Sequence, residues 1–196
     1  MTEKLTSLVD QIQALHLELD REIAKRRADF GFNLSGKFIQ FEKNVAARHR
    51  GLRIGILKYL STADIPTMVT APVIYGMVLP VALIDLSVTI YQQLCFRAYG
   101  MARVRRADYV VIDRQHLKYL NWIEALNCVY CGYANGVFGY AREIAARTEQ
   151  FWCPIKHALR IKDPHQRYFE FLEYGDADGY RARLAEFRKK LAENSA

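Results

Sequence analysis

Residues 67–96 read TMVTAPVIYGMVLPVALIDLSVTIYQQLCF, thirty residues in which Asp85 is the one charge. A helix needs about 20 apolar residues to cross a hydrocarbon core at 1.5 Å per residue, so this run is long enough to sit in a bilayer. Pro72 and Pro80 each lack a backbone donor, and Gly76 lies between them. The expectation is a helix to about Leu79, a bend, and a second helix from Val81 to Phe96. A buried hairpin in a soluble core is the competing reading, but thirty residues is long for one.

Arg48, Arg50, Arg53 and Lys58 precede the run, and Arg97, Arg103, Arg105 and Arg106 follow it. Residues 30–65 and residues 97–118 each hold six basic and two acidic side chains, and much of the +7 formal charge resides in these two blocks. Basic residues at membrane ends favour the cytoplasm. Because both ends carry them, a re-entrant, monotopic segment entering and leaving by one leaflet against anionic lipid is expected ahead of one kinked span. Lipid is the expected anionic partner; no nucleic-acid motif accompanies the charge, so nucleic acid is not. Asp85 should face protein or water, either as a functional carboxylate or as a helix–helix contact.

The opening, MTEKLTSLVDQIQALHLELD, has early acids and no apolar core, unlike a secretory signal. Four cysteines without such a signal imply reduced thiols and a cytoplasmic setting. Leu5, Leu8, Ile12, Leu15, Leu19 and Ile23 recur at three- and four-residue steps, an amphipathic helix suited to a protein partner or to its own domain. In FGFNLSGKFIQFEKNVAARHRGLRIGILKYL (30–60), basic residues interleave with Phe30, Phe32, Phe38 and Phe41, as in a helix lying among head groups. DYVVID (108–113) is the one strand-like run. Asp163-Pro164 should open a helix that Gly175 stops, and Asp176 or Asp178 should cap a last helix reaching Lys190.

The expected fold class is all-α, a helical bundle with one membrane-embedded segment. Its divisions are an amphipathic helix (1–29), a basic interfacial region (30–65), the embedded segment (66–96) and a cytosolic helical domain (97–196).

Residues 113–157 carry the chemistry. As a helix, His116, Leu120, Glu124, Cys128, Cys131 and Asn135 share one face, and Tyr119, Trp122, Leu126, Tyr130 and Tyr133 the next. After a break at Asn135-Gly136, Arg142, Ala146, Glu149 and Cys153 share a stripe that His157 extends. Three chemistries compete with plain packing. Cys128, Cys131, Cys153 and His157 offer three thiolates and an imidazole, a set suited to zinc or iron. Bringing them together needs residues 132–139 to run back as a loop, since a rigid hairpin keeps the two pairs about 16 Å apart; Cys95 could stand in as a ligand. The second chemistry is dithiol redox, with Asn127 capping a helix at Cys128. The third is a carboxylate–histidine site from Glu124, Glu143, Glu149, His116 and His157, although no Glu-x-x-His step occurs. In plain packing the cysteines are small buried residues, and the carboxylates pair with Arg142 and Arg147.

The segments NCVYCGYANG (127–136) and EQFWCPIKHA (149–158), with their surroundings over roughly residues 45–175, resemble an uncharacterised family of bacterial membrane-associated proteins. The resemblance implies one functional stretch holding both segments, but no activity, cofactor or catalytic residue; the expected location is the cytoplasmic face of a bacterial inner membrane. The leading expectation is a membrane-anchored metal protein with a redox or accessory role. The alternatives are a non-catalytic adaptor or assembly subunit, and an enzyme taking a lipid or quinone-like substrate beside Tyr119, Trp122, Tyr130 and Tyr133. Whether the chain is an enzyme stays open at this stage.

Overall fold

The computed structural model describes residues 3–28, 32–35, 38–41 and 43–193. Phe30, and the side chains of Leu5, Phe32, Phe38 and Phe41, lie outside the described residues. The fold is predominantly helical: α1 (Glu3–Ala28), α2 (Lys43–Gly51), α3 (Ile56–Thr62), α4 (Ile65–Gly76), α5 (Val78–Tyr91), α6 (Trp122–Trp152) and α7 (Ala177–Glu193). Between α1 and α2, β1 (Phe32–Ser35) and β2 (Phe38–Phe41) pair antiparallel, with Phe32 opposite Phe41. The phenylalanine-rich stretch is therefore a hairpin and not the expected head-group helix. Period-two spacing of Phe32 and Leu34, and of their partners Ile39 and Phe41, suits strands at least as well as a helix.

The chain forms two compact units, one of Met1–Ala71 with Ile112–Cys131 and the other of Pro72–Val111 with Gly132–Ala196. In the first unit, the His49 ring packs edge-on against Tyr119 at 5.2 Å between centroids. A residue before the apolar run thus touches one well after it. The start of α6 is set here by a reciprocal cap: Asn121 Oδ1 accepts from the backbone N–H groups of Ile123 and Glu124, both at 3.0 Å, while Glu124 Oε2 accepts from Asn121 N–H at 2.8 Å. His116, Tyr119 and Leu120 consequently lie before the helix and not on it.

The apolar run is one long helix, Ile65–Phe96. Met77, between α4 and α5, keeps right-handed helical dihedrals, and Met77 N–H and Val81 N–H each reach back four residues, to Val73 O and Met77 O. The helical hydrogen bonding does not break at Met77, so the expected re-entrant hairpin is absent, and Pro72 and Pro80 sit within one continuous helix. Gln92–Phe96 close it as a π-helical turn.

In the second unit, α5 and α6 run side by side in the same direction: Asp85 meets Tyr133, Thr89 meets Tyr140, and Tyr91 hydrogen-bonds Thr148 at 3.0 Å. Residues 101–111 return between them. Gln92, buried, fixes this return by bonding both faces of one peptide position: its Oε1 accepts from Val104 N–H at 2.9 Å and its Nε2 donates to Val104 O at 3.3 Å. The same amide donates to Tyr140 Oη. Phe96, Met101, Val104, Tyr140, Ile144 and Leu191 form the core, with α7 adding Leu191 and, beside Phe171 and Leu172, Phe187.

The return explains why Asn135-Gly136 does not break α6. A Cβ on Gly136 would stand 2.7 Å from Tyr109 O and from Val110 Cα, and one on Gly132 3.0 Å from Val111 O. These glycines admit a neighbouring backbone, so they are close-approach residues inside a helix and not turn formers. The same contact accounts for DYVVID: Asp108 ends a 3-10 turn and the following residues lie in the glycine notch without a strand partner. Near the C-terminus, a 3-10 turn (Gln166–Glu170) stands in place of the expected full helix. Gly175 stops the chain with φ 92°, and Asp176 Oδ1 caps α7 by accepting Gly179 N–H at 2.8 Å.

Candidate functional site

The polar groups of the second unit gather at two places along α5 and α6. At the first, Asp85 projects from the inner face of the apolar helix. Arg106 Nε donates to its two oxygens at 2.9 and 3.2 Å, Arg106 Nη2 donates at 2.7 Å, and Tyr133 Oη–H donates at 3.0 Å. This two-pronged geometry is the strong form of the arginine–carboxylate pair. Bonding to Asp85 raises the Arg106 pKa, and burial followed by the Asp85 hydrogen bond raises that of Tyr133. With donors on both oxygens, Asp85 acts as a fixed acceptor that locks three segments together. Of its two expected roles, the geometry matches the helix–helix contact.

At the second place, Glu143 Oε1 accepts from Arg147 Nε at 2.8 Å and from Arg167 Nη2 at 2.9 Å. Burial opposes ionisation of Glu143 and is the largest single influence, but the bonds from Arg147 and Arg167 together outweigh it and hold the carboxyl below its ordinary range. Arg147 Nη1 also donates to Ala102 O at 2.7 Å, and Arg167 Nη1 to Gln150 Oε1 at 2.9 Å. Nearly two turns along, His165 Nε2 meets Glu149 Oε2 at 2.8 Å, while Tyr168 N–H donates to His165 Nδ1 at 3.1 Å. The imidazole is thus held at both nitrogens, its Nδ1 lone pair engaged by a backbone N–H. Arg142 pairs with Asp163 at 3.2 Å and Lys156 with Glu173 at 2.6 Å.

The expected ligand residues are not gathered in this way. Cys128 and Cys131 stand one turn apart on α6, Cys153 follows its last residue, and exposed His157 stacks on Tyr168 with the ring planes 19° apart. Because α6 is unbroken from Trp122 to Trp152, the loop at 132–139 that would have returned Cys153 to Cys131 does not exist. Twenty-two helical residues separate the two by about 33 Å, against the roughly 4 Å that two thiolates of one ion require. Among the described residues, no three His, Cys, Asp or Glu side chains are grouped to hold a metal ion. Of the carboxylate–histidine set, Glu124 caps α6, Glu143 binds two arginines and Glu149 binds His165. The dithiol reading fares no better, since Cys128 lies within α6 and not at its N-terminus.

Arg106, His165 and Arg167 are the pairing residues that sequence reading missed. A lone carboxylate in an apolar helix does demand a cation, and Arg106 was one of four nearby arginines; only the path of residues 101–111 selects it.

In comparisons with protein-family models, with curated proteins and with solved structures, nothing matches this chain.

Proposed function

We propose that the chain is a non-catalytic membrane-associated adaptor or assembly protein, resting on the cytoplasmic face of a bacterial inner membrane. The observation carrying this reading is the Ile65–Phe96 helix, which is apolar enough for a bilayer yet has only 11 % of its most apolar stretch buried by protein. Its α4 portion buries no residue at all. A surface this apolar needs a cover, and lipid supplies one without a further component. The saturated pairing of Asp85, Glu143, Glu149 and His165 supports a structural reading over a catalytic one. The α1 helix supports a partner role: Leu8, Ile12, Leu15 and Leu19 are all exposed along one face.

The test is membrane extraction. The protein should remain with membranes through high-salt and alkaline carbonate washes and leave only with detergent; release by carbonate would overturn the membrane reading. A Leu15→Asp, Leu19→Asp variant should stay in the membrane but lose any co-purifying protein.

A further inference from the structure

Resting on the membrane reading, we infer that the Ile65–Phe96 helix lies along one face of the bilayer, with its outer stripe in the acyl boundary, and does not cross it. Two independent observations lead there. The first is positional. At 100° per residue, Ile65, Val69, Leu79, Leu83, Ile90 and Leu94 fall within about 40° of a single line along the helix. All six are exposed, Leu79 at 73 % and Leu94 at 67 %. Val81, Asp85, Gln92 and Phe96 occupy the opposite side, which is the side packed on protein. The helix is thus two-faced along its α5 portion, with one face committed to the fold and the other apolar but for exposed Ser87. A crossing helix meets lipid over a belt of fixed depth, whereas an in-plane helix meets it along a stripe.

The second observation concerns connectivity. Residues before the helix and residues after it, Met1–Ala71 and Ile112–Cys131, belong to one compact unit, and His49 touches Tyr119 within it. Were the helix to cross, this contact would require residues 97–118 to re-cross a hydrocarbon layer about 30 Å thick, although that stretch holds no α-helix and carries Arg103, Arg105, Arg106, Arg114 and Lys118. With both flanks on one side, Arg48, Arg53, Lys58 and Lys118, all exposed, share that side and can reach anionic head groups. Exposed Leu57, at 86 %, sits beside Lys58 in the same flank, a pairing of buried tip and snorkelling cation that suits the interface.

The experiment uses the full chain bound to vesicles of phosphatidylcholine with phosphatidylglycerol. An environment-sensitive fluorophore is placed singly at Val69→Cys, Leu83→Cys and Leu94→Cys in a background lacking the native cysteines. Quenching by lipids brominated at stepped depths should place all three at one shallow depth. Membrane-impermeant maleimide should label Lys58→Cys and Lys118→Cys from the same face. A graded depth, with Leu83 deepest and Val69 and Leu94 near opposite surfaces, overturns the in-plane posture and leaves the membrane reading standing. Labelling of the two lysine positions from opposite faces does the same. Failure of the unlabelled wild-type chain to bind these vesicles overturns both, and assigns the stripe to a protein neighbour. A fluorophore that stays in water at all three sites of a vesicle-bound chain overturns the stripe alone.

Discussion

The Ile65–Phe96 and Trp122–Trp152 helices are nearly equal in length, 32 and 31 residues, and meet opposite surroundings. The first is apolar on almost every side and leaves most of that surface uncovered. The second carries Arg142, Glu143, Arg147 and Glu149, yet buries eight residues, among them Gly132, Gly136, Tyr140 and Ile144. Hydrophobicity therefore does not rank these helices by burial within the protein. What ranks them is fit: α6 has glycines that admit a backbone and charges that find partners, while the outer stripe of the apolar helix, Ser87 apart, offers hydrocarbon contact.

Paired truncations should expose that contrast most sharply. Ile144→Ala, in the core, should lower unfolding stability by about 2–5 kcal/mol, whereas Leu83→Ala on the outer stripe should change it by no more than about 0.5 kcal/mol. Thermal unfolding in detergent measures both, and equal losses would mean that the stripe is packed. The glycine notch comes next. Gly136→Ala should cost about 1–3 kcal/mol in overpacking, because the obstructing atoms are backbone, and this exceeds the roughly 1 kcal/mol that alanine gains in a helix. Gly139→Ala meets only the edge of the Tyr109 ring, 3.3 Å away, and should be neutral or slightly stabilising. A Gly136→Ala variant as stable as wild type would show that residues 109–111 do not lie against α6.

Asp85 is the point where the two helices are tied, and its loss should act at the same scale. Asp85→Asn removes the charge that Arg106 and Tyr133 both donate to, at about 1–3 kcal/mol; Tyr133→Phe should cost less. A double-mutant cycle between Asp85 and Arg106 should show coupling, and strict additivity would break the tie. The smallest expected effect is in pH dependence. Because the folded Glu143 pKa is lowered, its contribution is present above the ordinary glutamate value of 4.5 and fades as pH falls below it. Because the Tyr133 pKa is raised above 10.0, its contribution is present below that value and fades as pH rises through the higher folded one. Glu143→Gln should flatten the acid limb of the stability profile, read by thermal unfolding across pH.

Features that depend on nearest neighbours in the chain were readable from the residues alone. The apolar run, the amphipathic period of α1 and a cap on α7 at Asp176 or Asp178 all follow from local composition and local hydrogen bonding. Asn121-x-x-Glu124 is a cap of the same kind, masked in the sequence by a periodicity that runs straight through it to His116. Features that depend on contacts across the chain were not readable. Asn135-Gly136 has the chemistry of a turn, and only the backbone of Tyr109 and Val110 pressing on Gly136 reveals it as a helical notch. The paired cysteines suggested a shared ion, and only the unbroken course of α6 separates Cys131 from Cys153. A thirty-residue, predominantly apolar run declared an affinity for something other than water, but its length was compatible with crossing a bilayer or lying on it. The contact of His49 with Tyr119 supports the in-plane posture proposed above, because a crossing helix would force the non-helical, basic stretch 97–118 back through hydrocarbon.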